Sequence, residues 1–385
     1  MNHLIGHSVN AIDTPSLVVD LDMMERNLAT MAAFAAQHQV MLRPHAKMHK
    51  SAELAKLQMA NGAVGVCVQK TSEAEVLVAG GVHNIYISNE VIAPTKLARV
   101  AALTRVLAPL GGKLAICVDS MEGVKRLATS MNEGRLSSGI SSSIDVFIEI
   151  NVGQNRCGVQ PGLPAVALAI EIRKHPALNF AGLQAYHGKA QHMRSAAERR
   201  DAILSAIKAV RQTRELIEDE GIKVGLVTGA GTGTAPLEAA SKLYGELQAG
   251  SYLFMDADYA ANEPAVGQPR FKHALFVKTQ VISVHAGHVV CDAGHKSHAI
   301  DSGLPKVHAF SSRSELDYSN GGDEHGVLKP AAGSTRLPIL GSMLWLPGHC
   351  DPTVNLHDVM IGVRGGLLKG VVERIIHVDG RGCLT

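Results

Sequence analysis

Between residues 40 and 250, eight short apolar runs, several of them β-branched, alternate with amphipathic stretches, and this repeat constrains the fold more than any other feature of the chain. The runs fall at 40–46 (VMLRPHA), 63–69 (AVGVCVQ), 84–89 (NIYISN), 113–119 (KLAICVD), 144–152 (IDVFIEINV), 180–187 (FAGLQAYH), 225–229 (GLVTG) and 246–250 (ELQAG). Each has strand length and is bounded by breakers. Helical segments are expected near 22–38, 51–61, 72–80, 94–107, 120–131, 163–175, 195–219 and 235–241. Asp20 and Asp22 stand at the start of the first, and Ser72 with Glu75 reads as a capping box. Eight such units predict a parallel (β/α)8 barrel over residues 20–265, with an open doubly wound sheet as the other solution. After residue 265 the pattern changes to strands and hairpins without helices, as in HALFVKTQVISV (273–284), HVVCDAG (288–294), MLWLPGH (343–349) and VMIGVRGGLLKGVVERI (359–375). Residues 266–385 with 1–19 therefore read as a separate β domain, to which SLVVDLD (16–22) adds a strand.

Composition narrows the function. Hydrophobic residues make up 46% of the 385 and charged residues 19%, enough for a large core. A net charge of only +2, with no basic stripe, argues against nucleic acid as partner. No apolar run is long enough to suggest a membrane span, and no signal peptide is visible. The six cysteines are scattered without a CxxC pair, and several sit in apolar runs as small hydrophobes, which fits a reducing cytoplasm.

The C-terminal ends of the strands carry the chemistry. They present Lys47, Gln69, Asn89, Asp119, Asn151 with Arg156, Tyr186 with His187, Thr228 and Ser251, where barrel enzymes place their active sites. Lys47, in RPHAKMHK (43–50), is well placed for a Schiff base, though two histidines and two lysines in one run also suit a basic surface loop. TGAGTGT (228–234) follows the seventh strand; Gly229, Gly231 and Gly233 let backbone amides approach an anion, and Thr232 adds a hydroxyl. AGSY (249–252) is a second amide-plus-hydroxyl site, and paired loops here suit a phosphate. Tyr186 could stack on a cofactor, and His187 or His192 could act as a base. Arg156, facing a heterocycle nitrogen, would keep it unprotonated. In PGHCDPTVNLHD (347–358), an extended 346–351 would put His349 and Asp351 on one face and Cys350 on the other. That N/O pair suits Mn²⁺, Zn²⁺ or Mg²⁺ with open positions, unless it is only a hydrogen-bonded turn.

DTPSLVVDLD, RPHAK, VQKTSEAE, NVGQNRCGV, LQAYHG, TGAGTG, ELQAGSYLFMDADY, DEHGV and HCDPTVNLHD, in that order over nearly the whole chain, resemble the D-threonine aldolase and 3-hydroxy-D-aspartate aldolase family of fold-type III pyridoxal-phosphate (PLP) enzymes. The resemblance implies an alanine-racemase-like barrel with a C-terminal β domain, a homodimer, and PLP with a divalent metal such as Mn²⁺ or Mg²⁺. It implies that Lys47 is the Schiff-base lysine and His192 the base, with metal-bound hydroxide as the alternative base. Gln69, Arg156, Tyr186, Thr228, Gly231, Thr232, Gly233, Gly250, Ser251 and Tyr252 become cofactor-binding residues, and His349 and Asp351 metal ligands. The implied reaction is retro-aldol cleavage of a β-hydroxy-D-amino acid, D-threonine-like, to glycine and an aldehyde. Cleavage of 3-hydroxy-D-aspartate to glycine and glyoxylate, or dehydration of D-serine or 3-hydroxyaspartate, are the alternatives. Related dehydratases resemble H-x-C at the metal pair; Asp351 here favours aldol chemistry. Arg194 and Lys296 are candidates for a side-chain carboxylate. Ala230 stands where relatives often have glycine, which a negative φ would allow.

Overall fold

The computed structural model describes residues 1–138, 142–308, 316–331 and 337–385. Strand β1 (Ser16–Asp20) belongs to the second of two sheets. The first sheet holds β2 (Met41–Leu42), β3 (Val66–Val68), β4 (Asn84–Glu90), β5 (Lys113–Val118), β6 (Ile144–Glu149), β7 (Leu178–Ala185), β8 (Leu226–Gly229) and β9 (Glu246–Leu247). Its order is β2-β9-β8-β7-β6-β5-β4-β3, and each ladder is parallel. Neighbours follow chain order without the reversal of a doubly wound sheet. A parallel bridge between His45 and Cys67, with Val64 N–H donating to Leu42 O at 2.9 Å, links the two end strands and closes the ring.

Between the strands run α1 (Leu21–His38), α2 (Ala52–Ala60), α3 (Thr71–Ala79), α4 (Pro94–Leu107), α5 (Met121–Ser138), α6 (Leu163–Arg173), α7 (Ala196–Asp219) and α8 (Ala235–Ala240). Asp20 caps α1, accepting from Met23 N–H at 3.1 Å. The spacing of Leu21, Met24, Leu28, Met31 and Ala35 then turns one face of that helix inward. Two expectations shift here. The capping carboxylate of α3 is Glu73, which accepts from Gln69 N–H at 2.9 Å and Lys70 N–H at 3.2 Å; Ser72 lies inside the helix, and Glu75 pairs with Arg99 instead. Helix α5 continues to Ser138 rather than ending near 131; Gly134 lies within it and does not stop it.

Strand alternation sorts the core. Val66, Val68, Ile85, Ile87 and Ile116 pack outward with the helices. Cys67, Tyr86, Cys117 and Phe147 form a separate cluster on the other face, inside the barrel. The second sheet runs β12 (Leu316–Asn320), β13 (Gly326–Pro330), β11 (Val289–Cys291), β10 (Leu275–Val284), β1, β15 (Val359–Arg364), β16 (Val371–His377), with β14 (Met343–Leu346) also on β10. Strand β1 is antiparallel to β10 and parallel to β15, so SLVVD does join this sheet. A shared core of Leu17, Met24, Leu253, Phe254, Leu275, Leu346 and Cys350 ties this sheet to the barrel. Short helices α9 (Ala257–Ala260) and α10 (Cys350–Val354) lie at the junction. The chain end reinforces it: Gly380 N–H donates to Lys50 O at 2.9 Å and Ser72 N–H to Thr385 O at 2.8 Å. Among the described residues no helix is long and apolar enough to cross a membrane.

Candidate active site

Strand β2 is only two residues long, and the chain leaves it through a 3₁₀ turn at Ala46–Met48 that carries Lys47. The ammonium of Lys47 forms a hydrogen-bonded ion pair with Asp351, which comes from α10, 304 residues away. Asp351 raises Lys47 above its ordinary pKa. Burial alone would push Asp351 up, but Lys47 outweighs it and the carboxyl stays below the usual range. The two groups the sequence placed at opposite ends of the chain thus share one site.

A cavity of about 180 Å³ opens around this pair at the C-terminal mouth of the barrel. Gln69, Arg156, Tyr186, Gly231, Thr232, Gly250 and Ser251 line it together with Lys47 and Asp351. Burial raises the Tyr186 phenol, so it stays protonated at neutral pH. The N–H groups of Thr232, Gly250 and Ser251 have no hydrogen-bond partner among the described residues. Free amides on two loops facing one cavity suit a phosphate. Gly250 is required here: a Cβ would lie 2.7 Å from His45 O. The backbone could not then pass so close to the lysine turn.

Other expected residues sit elsewhere. Thr228 is inside the barrel, donating to Glu246 Oε1 at 2.8 Å and accepting from Gln248 Nε2 at 2.8 Å. The amide of Gly233 is taken by Gln191 Oε1 at 3.0 Å. The Tyr252 ring is buried against Phe271, its hydroxyl accepting from Gln58 Nε2 at 3.2 Å. None of these three lines the cavity. Ala230 does line it, but at φ 69°, in the left-handed region and not at the negative φ expected.

The segment 346–351 is not extended to its end. His349 is the N-cap of α10, so alternation stops there and Asp351 lies in the helix's first turn. His349 Nδ1 is 2.9 Å from Asp301 Oδ2, and Cys350 is buried, its thiol 3.6 Å from Met255 O. Among the described residues no group of three or more His, Cys, Asp or Glu side chains is arranged to hold a metal. The donor set nonetheless fits a cation with open positions: Asp351 Oδ1 is buried with no hydrogen-bond partner among the described residues.

His192 stands at the rim with its side chain half-exposed, its ring centroid 6.0 Å from that of Tyr259, which lines the cavity. Its Nδ1 lies 2.6 Å from Asp258 Oδ2. Burial would raise Asp258, but Arg194 and His192 together hold it below the usual range. An ionised carboxylate only accepts, so Nδ1 carries a proton, and in the neutral ring Nε2 is the nitrogen left to accept. Arg194 is committed to Asp258 and to Asn262, and Lys296 to Glu324 at 2.7 Å and Asp323 at 3.4 Å. Neither lines the cavity, so the expectation of a second carboxylate site on them is not met in this chain.

Sequence reading missed His45, Tyr259 and Asp258. His45 Nδ1 accepts from Lys47 N–H at 3.4 Å, and Nε2 lies 2.9 Å from Gln69 Nε2. Burial first, then Lys47, pushes its pKa well down, so it is neutral. Its place beside the lysine in RPHAK was the available signal. Tyr259 and Asp258 lie in MDADY, which has no periodicity to mark them.

A lysine and an array of free amides at the mouth of a parallel barrel suit an enzyme that holds a phosphorylated aldehyde cofactor on lysine. The alanine racemase N-terminal domain family matches residues 19–258, and a serine dehydratase domain matches 274–363. The chain is 44% identical to a D-threonine aldolase of Arthrobacter sp over 98% of this chain and 95% of that one. It is 39% identical to a 3-hydroxy-D-aspartate aldolase of Paracoccus denitrificans (strain Pd 1222), with 98% and 95% covered. The crystal structure of D-threonine aldolase from Filomicrobium marinum superposes with a TM-score of 0.91 at 45% identity, covering 99% of each chain. Matching dehydratases stand further off. The chain belongs to the D-threonine aldolase and 3-hydroxy-D-aspartate aldolase family of lyases.

Proposed function

We propose that this protein, as a homodimer, cleaves β-hydroxy-D-amino acids with small or neutral side chains to glycine and an aldehyde, using PLP and a divalent cation. The contact between Lys47 and Asp351 carries this reading, because it puts a cofactor-type lysine beside a metal-type carboxylate. The six cysteines are free thiols, in keeping with a reducing compartment. PLP, when bound, supplies an electron sink for the pair left by Cα–Cβ cleavage, and the cation polarises the substrate hydroxyl.

The chain's residues do the rest. Lys47 would hold the cofactor's aldehyde carbon, and the amides of Thr232, Gly250 and Ser251 its phosphate. Arg156 would repel a proton from the ring nitrogen. His349 and Asp351 would ligate the cation. His192, held by Asp258, would take the hydroxyl proton on Nε2. The cavity's only cationic side chains among the described residues are Lys47 and Arg156, with His45 neutral. Both are spoken for, which favours a neutral substrate side chain over the carboxylate of 3-hydroxyaspartate.

The test is a product assay on D-threonine, D-phenylserine and 3-hydroxy-D-aspartate, with and without Mn²⁺. Glycine plus aldehyde from the first two is expected, dependent on Mn²⁺. Ammonia plus a keto acid would establish a dehydratase. Lys47→Ala should abolish both turnover and the absorbance of lysine-bound cofactor; a persistent band would remove Lys47 from its role.

A further inference from the structure

A further carboxylate beside His349 and Asp351 has no role in this scheme. Asp256 caps α9, its Oδ1 accepting from Tyr259 N–H at 2.8 Å. Its other oxygen, Oδ2, is buried without a hydrogen-bond partner among the described residues, and the residue is 0% exposed. Two contacts hold this stretch against α10: Ala257 N–H donates to Gly348 O at 3.3 Å, and the Cys350 thiol to Met255 O at 3.6 Å. Asp256 therefore lies against the turn carrying His349 and Asp351, and both are close enough to perturb it. Asp351 Oδ1 is orphaned in the same way. Two buried acceptor oxygens on touching segments, with no donor for either, are costly unless something positive or proton-donating stands near them.

We propose that Asp256 is the third protein group of the divalent-cation site, its Oδ2 accepting a hydrogen bond from the cation's hydration water. This rests on the reading of His349 and Asp351 as ligands. A direct bond is not the role assigned, because no three such side chains among the described residues converge tightly enough to ligate together. An outer carboxylate adds negative charge and fixes a water at the open side of the ion. With one imidazole, one inner carboxylate and water, the set favours Mn²⁺ or Mg²⁺ over thiophilic metals.

Asp256→Asn provides the test, since asparagine caps a helix as well as aspartate and keeps Oδ1 for Tyr259 N–H. Mn²⁺ binding to the PLP-loaded, metal-stripped protein would be read by the electron paramagnetic resonance of free Mn²⁺. Affinity should fall roughly 10- to 100-fold, the usual effect of losing an outer-shell partner. The cofactor absorbance and the unfolding midpoint of the metal-free protein should not move. Asp351→Asn serves as reference and should abolish binding. If Asp351→Asn does so while Asp256→Asn binds Mn²⁺ like the parent, this proposal fails and the ligand pair stands. If neither variant changes binding, both readings fall. Asp256→Ser, which also caps, replaces the asparagine variant should that one not fold.

Discussion

The floor and the mouth of the barrel are built from similar polar residues and treat them in opposite ways. On the floor, and up to where Gln184 and Gln248 meet the cavity, polar side chains pair with one another. Arg43 Nε donates to Glu246 Oε2 at 2.9 Å, Thr228 to Glu246 Oε1 at 2.8 Å, and Gln248 Nε2 to Gln184 Oε1 at 2.7 Å; the Tyr86 hydroxyl closes the chain on Gln184 at 3.1 Å. At the mouth, Asp351 Oδ1 and Asp256 Oδ2 are buried without partners among the described residues, and three loop amides are free. A satisfied network rigidifies, while an unsatisfied one stores cost that a ligand relieves. Polarity in a barrel therefore does not mark function until its partners are counted.

That contrast breaks first where a floor charge is removed. Arg43→Met leaves the Glu246 carboxylate, 1% exposed, without its cation, and should cost about 3–5 kcal/mol of stability. Denaturant midpoints would measure this, and kcat per folded molecule should be retained. A kcat loss at unchanged stability would put the floor in the reaction. The mouth answers in the other currency. Asp258→Asn can donate its amide to His192 Nδ1 and so turn the imidazole to the wrong tautomer. The expected result is a fall in kcat on the order of 10²-fold with little change in KM or unfolding midpoint. An unchanged kcat would hand the proton to another group.

How much of this could be read beforehand follows the same line. The period of the strands and helices is local, so the barrel and the additional strand at Ser16–Asp20 were legible. Closure was not, since it depends on one bridge between His45 and Cys67 beyond a two-residue strand. Lys47 and Asp351 were legible as residue types at strand and turn ends, but their meeting is a tertiary fact. Thr228 looked like a cofactor residue because it stands at a strand end; the pleat turns it to the floor. Asp256 and Asp258 were invisible because their partners lie in remote segments, Asp258 meeting His192 66 residues away.

A smaller effect sharpens the account of the mouth. Glu149, 5% exposed, is pushed up to about 8, by burial first and then by the neighbouring Glu90. In the unfolded chain it titrates near 4.5. The folded protein thus holds a proton that the unfolded chain releases. The resulting stability is complete below pH 4.5 and drains away as pH rises to about 8. Glu149→Gln, which resembles the protonated form, should flatten that slope and be more stable than the parent at pH 9. Parallel stability–pH curves would mean that the pair is charged and solvated.

The least expected change lies in the phosphate-type loop itself. Ala230 holds φ 69°, a conformation that costs an L-residue about 1–2 kcal/mol. Ala230→Gly removes that cost but gives the unfolded chain more freedom, worth about 0.5–1 kcal/mol in the opposite sense. The net gain should be under about 1 kcal/mol, visible as a slightly raised unfolding midpoint in the PLP-free protein. The side chain's second effect separates the two regions again. Its methyl lines the cavity, so glycine also enlarges the space beside Gly231 and Thr232 and loosens the loop. Cofactor affinity should then fall slightly even as the fold gains. A variant that loses both would show that the strained alanine is held by packing around the loop, and that the mouth is as tightly determined as the floor.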